Sequence, residues 1–132
     1  MPISEVYNMD CMEYMKGIPD KFFDLAIVDP QYGIDIMHKG GMQKHLGFKQ
    51  YKRKDWDKSP PGKKYFEELF RVSKNQIIFG GNYFTTYLPP KMGWIVWDKG
   101  QHGLTMSDGE LAWSSFDKAL RIITLNRCTI GE

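Results

Sequence analysis

Apolar positions in this chain fall into several short runs separated by turn residues, together with one stretch at helical spacing, a pattern that predicts an α/β fold. Leu25, Ala26, Ile27 and Val28 form an unbroken run, which suits a strand buried on both faces of a parallel sheet. Before it, Glu5 to Asn8 reads as extended. Cys11 to Lys16 reads as a brief helix, with Asp10 in position to cap it and Gly17 and Pro19 to close it. After it, Ser59-Pro60-Pro61 predicts a helix start with Ser59 as N-cap, and Tyr65, Phe66, Leu69, Phe70 and Val72 then recur at helical spacing as far as Ser73-Lys74-Asn75. Gln76 to Phe79 is a second buried-type strand. Gly80-Gly81 then turns tightly into an expected helix from Asn82 to Leu88, which Pro89-Pro90 stops. Trp94 to Trp97 and Glu110 to Phe116 read as further strands, Gln101 to Gly109 as a polar loop, and Ala119 to Leu125 as a fifth apolar stretch. Between Gly33 and Ser59 no periodicity is evident, and the chain contains no internal repeats.

A length of 132 residues allows one domain with its own core, and 42% apolar with 26% charged residues is a soluble globular composition. No apolar run approaches a membrane span, and Met1 to Ser4 lacks the basic then apolar pattern of a signal peptide, so a cytoplasmic location without membrane contact is expected. Cys11 and Cys128 form no Cys-x-x-Cys pair, and His38, His45 and His102 show no ligand spacing with them; reduced cysteines and no bound metal are expected.

The net charge of +2 matters less than its distribution. Between Gln31 and Lys64, nine basic residues face three acidic ones. Lys39, Lys44, Lys49, Lys52, Arg53 and Lys54 belong to this segment, with Phe48, Tyr51 and Trp56 interleaved. Positive charge with aromatics suits phosphate contacts beside base stacking, and structureless connections of this length are uncommon unless functional. The segment from 33 to 59 is thus expected to be a mobile loop that orders on DNA; a solvated lysine-rich loop with no partner is the other reading.

The candidate chemistry lies where the first strand ends. Asp29-Pro30-Gln31-Tyr32-Gly33 places a carboxylate, a fixed-φ proline, an aromatic ring and a glycine at a strand's carboxyl end, where open α/β sheets bind ligands. An exocyclic amino nitrogen of adenine or cytosine is a poor nucleophile because its lone pair is delocalised. A carboxylate and a carbonyl accepting its two N–H groups stabilise the pyramidal, reactive nitrogen. An aromatic ring can hold an extruded base by stacking.

Asp29, Pro30 and Tyr32 resemble the Asp-Pro-Pro-Tyr motif of DNA amino-methyltransferases that use S-adenosylmethionine, with Gln31 in place of the second proline. In that family Asp at the first position usually accompanies adenine N6. The resemblance implies that Asp29 and the Pro30 carbonyl orient and polarise the amino group and that Tyr32 stacks on the base. Asn8-Met9-Asp10-Cys11 is similar to a segment on the adenosine side of the family's cofactor site, which implies cofactor contacts at Asp10 and Cys11 as well as Asp29; a plain helix cap at Asp10 stands beside it. Asp-Pro-x-Tyr, the basic segment, Arg71-Val72-Ser73-Lys74, Gly80-Gly81, Trp97-Asp98-Lys99 and Glu110 to Trp113 follow the order of the beta-type adenine methyltransferases, over roughly residues 5 to 116.

The implied fold is a partial Rossmann-like S-adenosylmethionine methyltransferase fold, the catalytic half of the sheet, in a single domain from 1 to 132. Phe79-Gly80-Gly81-Asn82 lacks the spacing of the family's Phe-x-Gly-x-Gly cofactor loop, and nothing after Trp113 matches it. The expectation is therefore an adenine N6 DNA methyltransferase, of the restriction–modification type, that stops before its main cofactor half. A non-catalytic DNA-binding remnant or a subunit of a split enzyme is the alternative, and an unrelated α/β protein with a turn at Asp29 is the third reading. The family's missing strands lie beside the Asp29 strand, so an open edge is expected there. The N-terminal stretch, the 119 to 125 segment or a second copy could cover it. Expected partners are double-stranded DNA and a homodimer mate or a complementing cofactor-binding subunit.

Overall fold

The computed structural model describes residues 3–32 and 61–126. The elements in chain order are α1 (Cys11–Lys16), β1 (Phe23–Val28), α2 (Lys63–Val72), β2 (Ser73–Phe79), a 3₁₀ turn (Gly81–Tyr83), β3 (Ile95–Asp98), β4 (Gly109–Ser114) and β5 (Arg121–Thr124). The strands make one mixed sheet in the order β1-β2-β4-β3-β5. β1 runs parallel to β2, β4 is antiparallel to both β2 and β3, and β5 is parallel to β3.

Local chemistry explains the boundaries. Asp10 caps α1 by accepting from the Met12 N–H at 2.9 Å, and the Gly17 N–H closes the helix on Tyr14 and Met15 carbonyls. α2 begins at Lys63 behind an extended Gly62; Ser59, the expected N-cap, lies outside the described residues. α2 passes straight into β2: Ser73 is already extended, its hydroxyl donates to the Leu69 carbonyl at 2.5 Å, and Gln76 donates to the Ser73 hydroxyl at 2.9 Å. The strand therefore starts three residues before Gln76.

The helix expected from Asn82 to Leu88 does not form. A 3₁₀ turn at Gly81–Tyr83 is followed by turns, with Phe84 and Leu88 both drawn into the core. Seven residues with adjacent β-branched threonines and a proline pair behind them are too few to sustain a helix against that pull.

The core lies on one face of the sheet. Phe66 and Leu69 of α2 pack with Ile78, Phe84, Leu88 and Trp113, and Ala26 and Val28 of β1 press against this cluster. Phe70 meets the Trp113 ring edge-on at 5.8 Å, and the Trp113 indole N–H donates to the Pro89 carbonyl at 2.9 Å. Arg71 ties α1 to α2: its guanidinium donates to the Met15 and Ile18 carbonyls, at 2.8 and 2.7 Å, and pairs with Glu68 and Asp20. That pairing holds the Glu68 carboxyl below its usual range.

β1 is not buried on both faces. Leu25 is 41% and Ile27 61% exposed, because strand side chains alternate and only Ala26 and Val28 face the core. Ile27 stands beside Ile77, and Ile123 of β5, 54% exposed, lies on the same face through the register Ile77–Ser114, Ile95–Ala112 and Trp97–Ile123. β1 also lies at one end of the strand order among the described residues. Neither internal candidate covers it: residues 3–10 contain no strand, and β5 pairs with β3 at the opposite edge.

Candidate active site

The parallel register Val28–Ile78 brings the turn after β1 beside the turn after β2. Pro30 is buried there while Asp29 is exposed. Tyr32 folds back across the end of β2, where its hydroxyl donates to Asp29 Oδ1 at 2.9 Å. Its ring lies so close to Gly80 that a Cβ at that position would sit 2.1 Å from Tyr32 Cε1, and Gly80 has φ 71°, a conformation that side chains resist. Gly81 is crowded as well, by the Trp113 Cβ at 2.7 Å and the Trp94 ring at 3.2 Å. The Gly-Gly pair is thus a seat for two aromatic rings.

Tyr83, on the 3₁₀ turn, stacks on Tyr32 with centroids 4.7 Å apart and planes 19° from parallel. Burial, then the hydrogen bond to Asp29, pushes the Tyr32 phenol well above its ordinary pKa, so it remains a neutral donor. The Asp29 carboxylate keeps a second oxygen for another donor.

Each member of this pair lines a different cavity. One, of about 530 Å³, is lined by Asp10, Cys11, Asp29, Pro30 and Gln31, with Lys64 and Tyr65 of α2 opposite. The other, of about 340 Å³, is lined by Tyr32, Asn82, Tyr83, Ser107 and Glu110. Both volumes fall within the range of small-molecule sites. Asp29 belongs to the first wall and Tyr32 to the second, so their hydrogen bond links the two walls.

Asp10 and Cys11 are brought to the same cavity as Asp29, although Asp10 is simultaneously the cap of α1. Burial, then the nearby Asp10 charge, raises the Cys11 thiol above its usual pKa, which disfavours a thiolate. Lys39, Lys44, Lys49, Lys52, Arg53 and Lys54, with the expected mobile loop, lie outside the described residues. Among the described residues no group of three or more His, Cys, Asp or Glu could hold a metal ion, and no helix is long and apolar enough to cross a membrane.

Sequence patterning missed Tyr83, Asn82 and Glu110. Gly80-Gly81 was the available signal, since paired glycines at a strand end mark a close approach. Glu110 is held by Lys99, whose ammonium lies 3.4 Å from its carboxylate, 3.3 Å from the Ser107 hydroxyl and 5.5 Å from the centre of the Trp97 ring. Asp98 closes the same loop by accepting from the Gly100 N–H and pairing with His102. The Gly100 contact first, then His102, lowers the Asp98 pKa, while the Asp98 hydrogen bond raises that of His102.

No known family profile matches the chain. Over 87 residues, 66% of its length, it is 30% identical to the type II methyltransferase M.BamHI of Bacillus amyloliquefaciens, of which it spans 18%.

Proposed function

We propose that the chain is the catalytic region of an S-adenosylmethionine-dependent DNA methyltransferase acting on adenine N6, built on a Rossmann-like sheet and working in the cytoplasm. The observation that supports this most is the hydrogen bond between Asp29, in the wall of one ligand-sized cavity, and Tyr32, in the wall of another. Methyl transfer needs that arrangement: donor and acceptor must enter from separate sides and meet at one polar point. The similarity to the type II methyltransferase M.BamHI supports the methyltransferase part of this reading.

The larger cavity suits the cofactor. Its Asp29 carboxylate is an acceptable neighbour for a sulfonium cation, and Asp10 and Cys11 supply polar atoms along the wall. When bound, S-adenosylmethionine supplies an electrophilic methyl group. Asp29 and the Pro30 carbonyl, in the wall of the larger cavity, accept the two amino N–H groups of a base that stacks on Tyr32 in the wall of the smaller one. Asp29 would accept the surplus amino proton and pass it toward solvent. Lys39, Lys44, Lys49, Lys52, Arg53 and Lys54 supply phosphate contacts to double-stranded DNA.

Methyl transfer from labelled cofactor to duplex DNA, with the modified nucleoside identified by mass spectrometry, tests this reading. Asp29→Ala is expected to reduce transfer at least about 100-fold, the scale for losing one preorganised electrostatic contact, with DNA affinity retained. Undiminished transfer refutes the role of Asp29, and N4-methylcytosine as product refutes the adenine assignment.

The outer side of β1, unpaired among the described residues, and the exposed Leu25 and Ile27 favour a second element of the proposal: the working form is an assembly. A second copy or a complementing cofactor-binding subunit adds a strand to β1. Light scattering showing a monomer at all concentrations, with rapid exchange of the Ala26 to Val28 amides in the active preparation, would remove it.

A further inference from the structure

Resting on that reading, we propose that the 340 Å³ cavity is the receiving pocket for the planar substrate, with Tyr83 as its second aromatic wall and Glu110 as the group that reads its edge. The ligand class is an amino-bearing nitrogen heterocycle.

The argument begins with the rings. Tyr32 is fixed from two sides, by its hydrogen bond to Asp29 and by the Gly80 backbone beneath it, so its position is set before any ligand arrives. Tyr83 covers a face of that ring at 4.7 Å, and its own side is 50% exposed. A half-exposed tyrosine stacked on a fixed one is a slot in closed form. To admit a flat heterocycle, the rings must part by one ring's thickness, and Tyr83, on a turn of only three residues, is the one able to move. Stacking a ligand then replaces the Tyr–Tyr contact with two contacts, one on each ring.

The far wall supplies selectivity. Glu110 is a carboxylate whose position is fixed by Lys99, itself only 8% exposed and held by Ser107 and the Trp97 ring. An ionised carboxylate only accepts hydrogen bonds, so it favours an amino edge and opposes a carbonyl edge. Asn82, beside it, offers both a donor and an acceptor and adds no bias of its own.

The test uses short single-stranded oligonucleotides with one 2-aminopurine, whose fluorescence is quenched on stacking with tyrosine, titrated with the full chain. Wild type is expected to quench the probe saturably. Tyr83→Ala is expected to weaken binding roughly 5- to 100-fold, the fold-change equivalent of losing one base–aromatic stack, and Tyr83→Phe to restore it to within about twofold. Near-UV circular dichroism identifies any variant that has lost the fold. In competition, adenosine is expected to displace the probe better than inosine, and Glu110→Gln to narrow that preference. Absence of wild-type quenching, equal or tighter binding by Tyr83→Ala, or an unchanged preference in Glu110→Gln overturns the proposal. Cofactor affinity, measured separately, should be unaffected by Tyr83→Ala. Probe binding without methyl transfer would defeat the proposed reaction while leaving this pocket in place.

Discussion

Gly80 decides the geometry of the site more than any residue bearing a functional group. With φ 71° and no room for a Cβ beneath Tyr32, it is the reason the phenol can reach Asp29. Gly80→Ala is expected to destabilise the chain by roughly 1–3 kcal/mol through backbone strain and overpacking, read as a lower urea midpoint, and to displace Tyr32 from Asp29. A midpoint equal to wild type would show that the ring yields freely. His102 permits a second residue-level prediction. Its pKa is raised by Asp98, so its protonated form is favoured in the fold. That contribution is fully present below about pH 6.5, the ordinary histidine value, and fades as pH rises through the raised one. Asp98 behaves in the opposite sense: its pKa is lowered, so its contribution is present above about pH 4 and is lost as pH falls through the lowered value. An NMR titration should place the His102 midpoint above its ordinary value, and Asp98→Asn should return it; an identical midpoint in the variant would dissociate the pair.

At the scale of elements, the residues themselves announced most of what formed. The apolar run before Asp29, the helical spacing of Phe66 and Leu69, and the Asp10 cap all act locally, and each produced its element. What was illegible depended on partners distant in sequence. Phe84 and Leu88 could serve a helix face or the core, and only the packing of Phe84 against Phe66, with centroids 5.3 Å apart, decides for the core. Tyr83 and Glu110 flank Tyr32 because β4 inserts between β2 and β3, an order that no local pattern encodes. β4 is therefore the element whose loss should do most damage. Trp113, 1% exposed and bonded to Pro89, contacts α2 and anchors the cluster. Trp113→Ala is expected to cost about 3–5 kcal/mol by denaturant unfolding, enough to unfold much of the population of a small domain; a cost below about 1 kcal/mol would mean that the core collapses around the gap.

For the whole molecule, the two faces of the sheet have different fates. One carries the aromatic core and, at its rim, the Asp29–Tyr32 site; the other presents Leu25, Ile27 and Ile123 to solvent. The four-residue apolar run made two-sided burial of β1 the natural expectation, yet an edge position and one packed face were the outcome, because the sequence of a strand states what it could bury and not what arrives to bury it. Edge strands usually carry a deterrent such as an unpaired charge, a proline or a bulge. β1 offers one charge, Asp24, and Lys74 engages it at 3.1 Å from the neighbouring strand. The Leu25 to Val28 part of β1 is uncharged, and a short apolar segment whose outer side pairs with no described residue is a template for indiscriminate pairing as much as for a proper mate. The consequence is a practical rule for the cell and the laboratory: the yield of dispersed chain should fall as its concentration rises, and a charge placed at Ile27 should rescue solubility while abolishing any productive assembly.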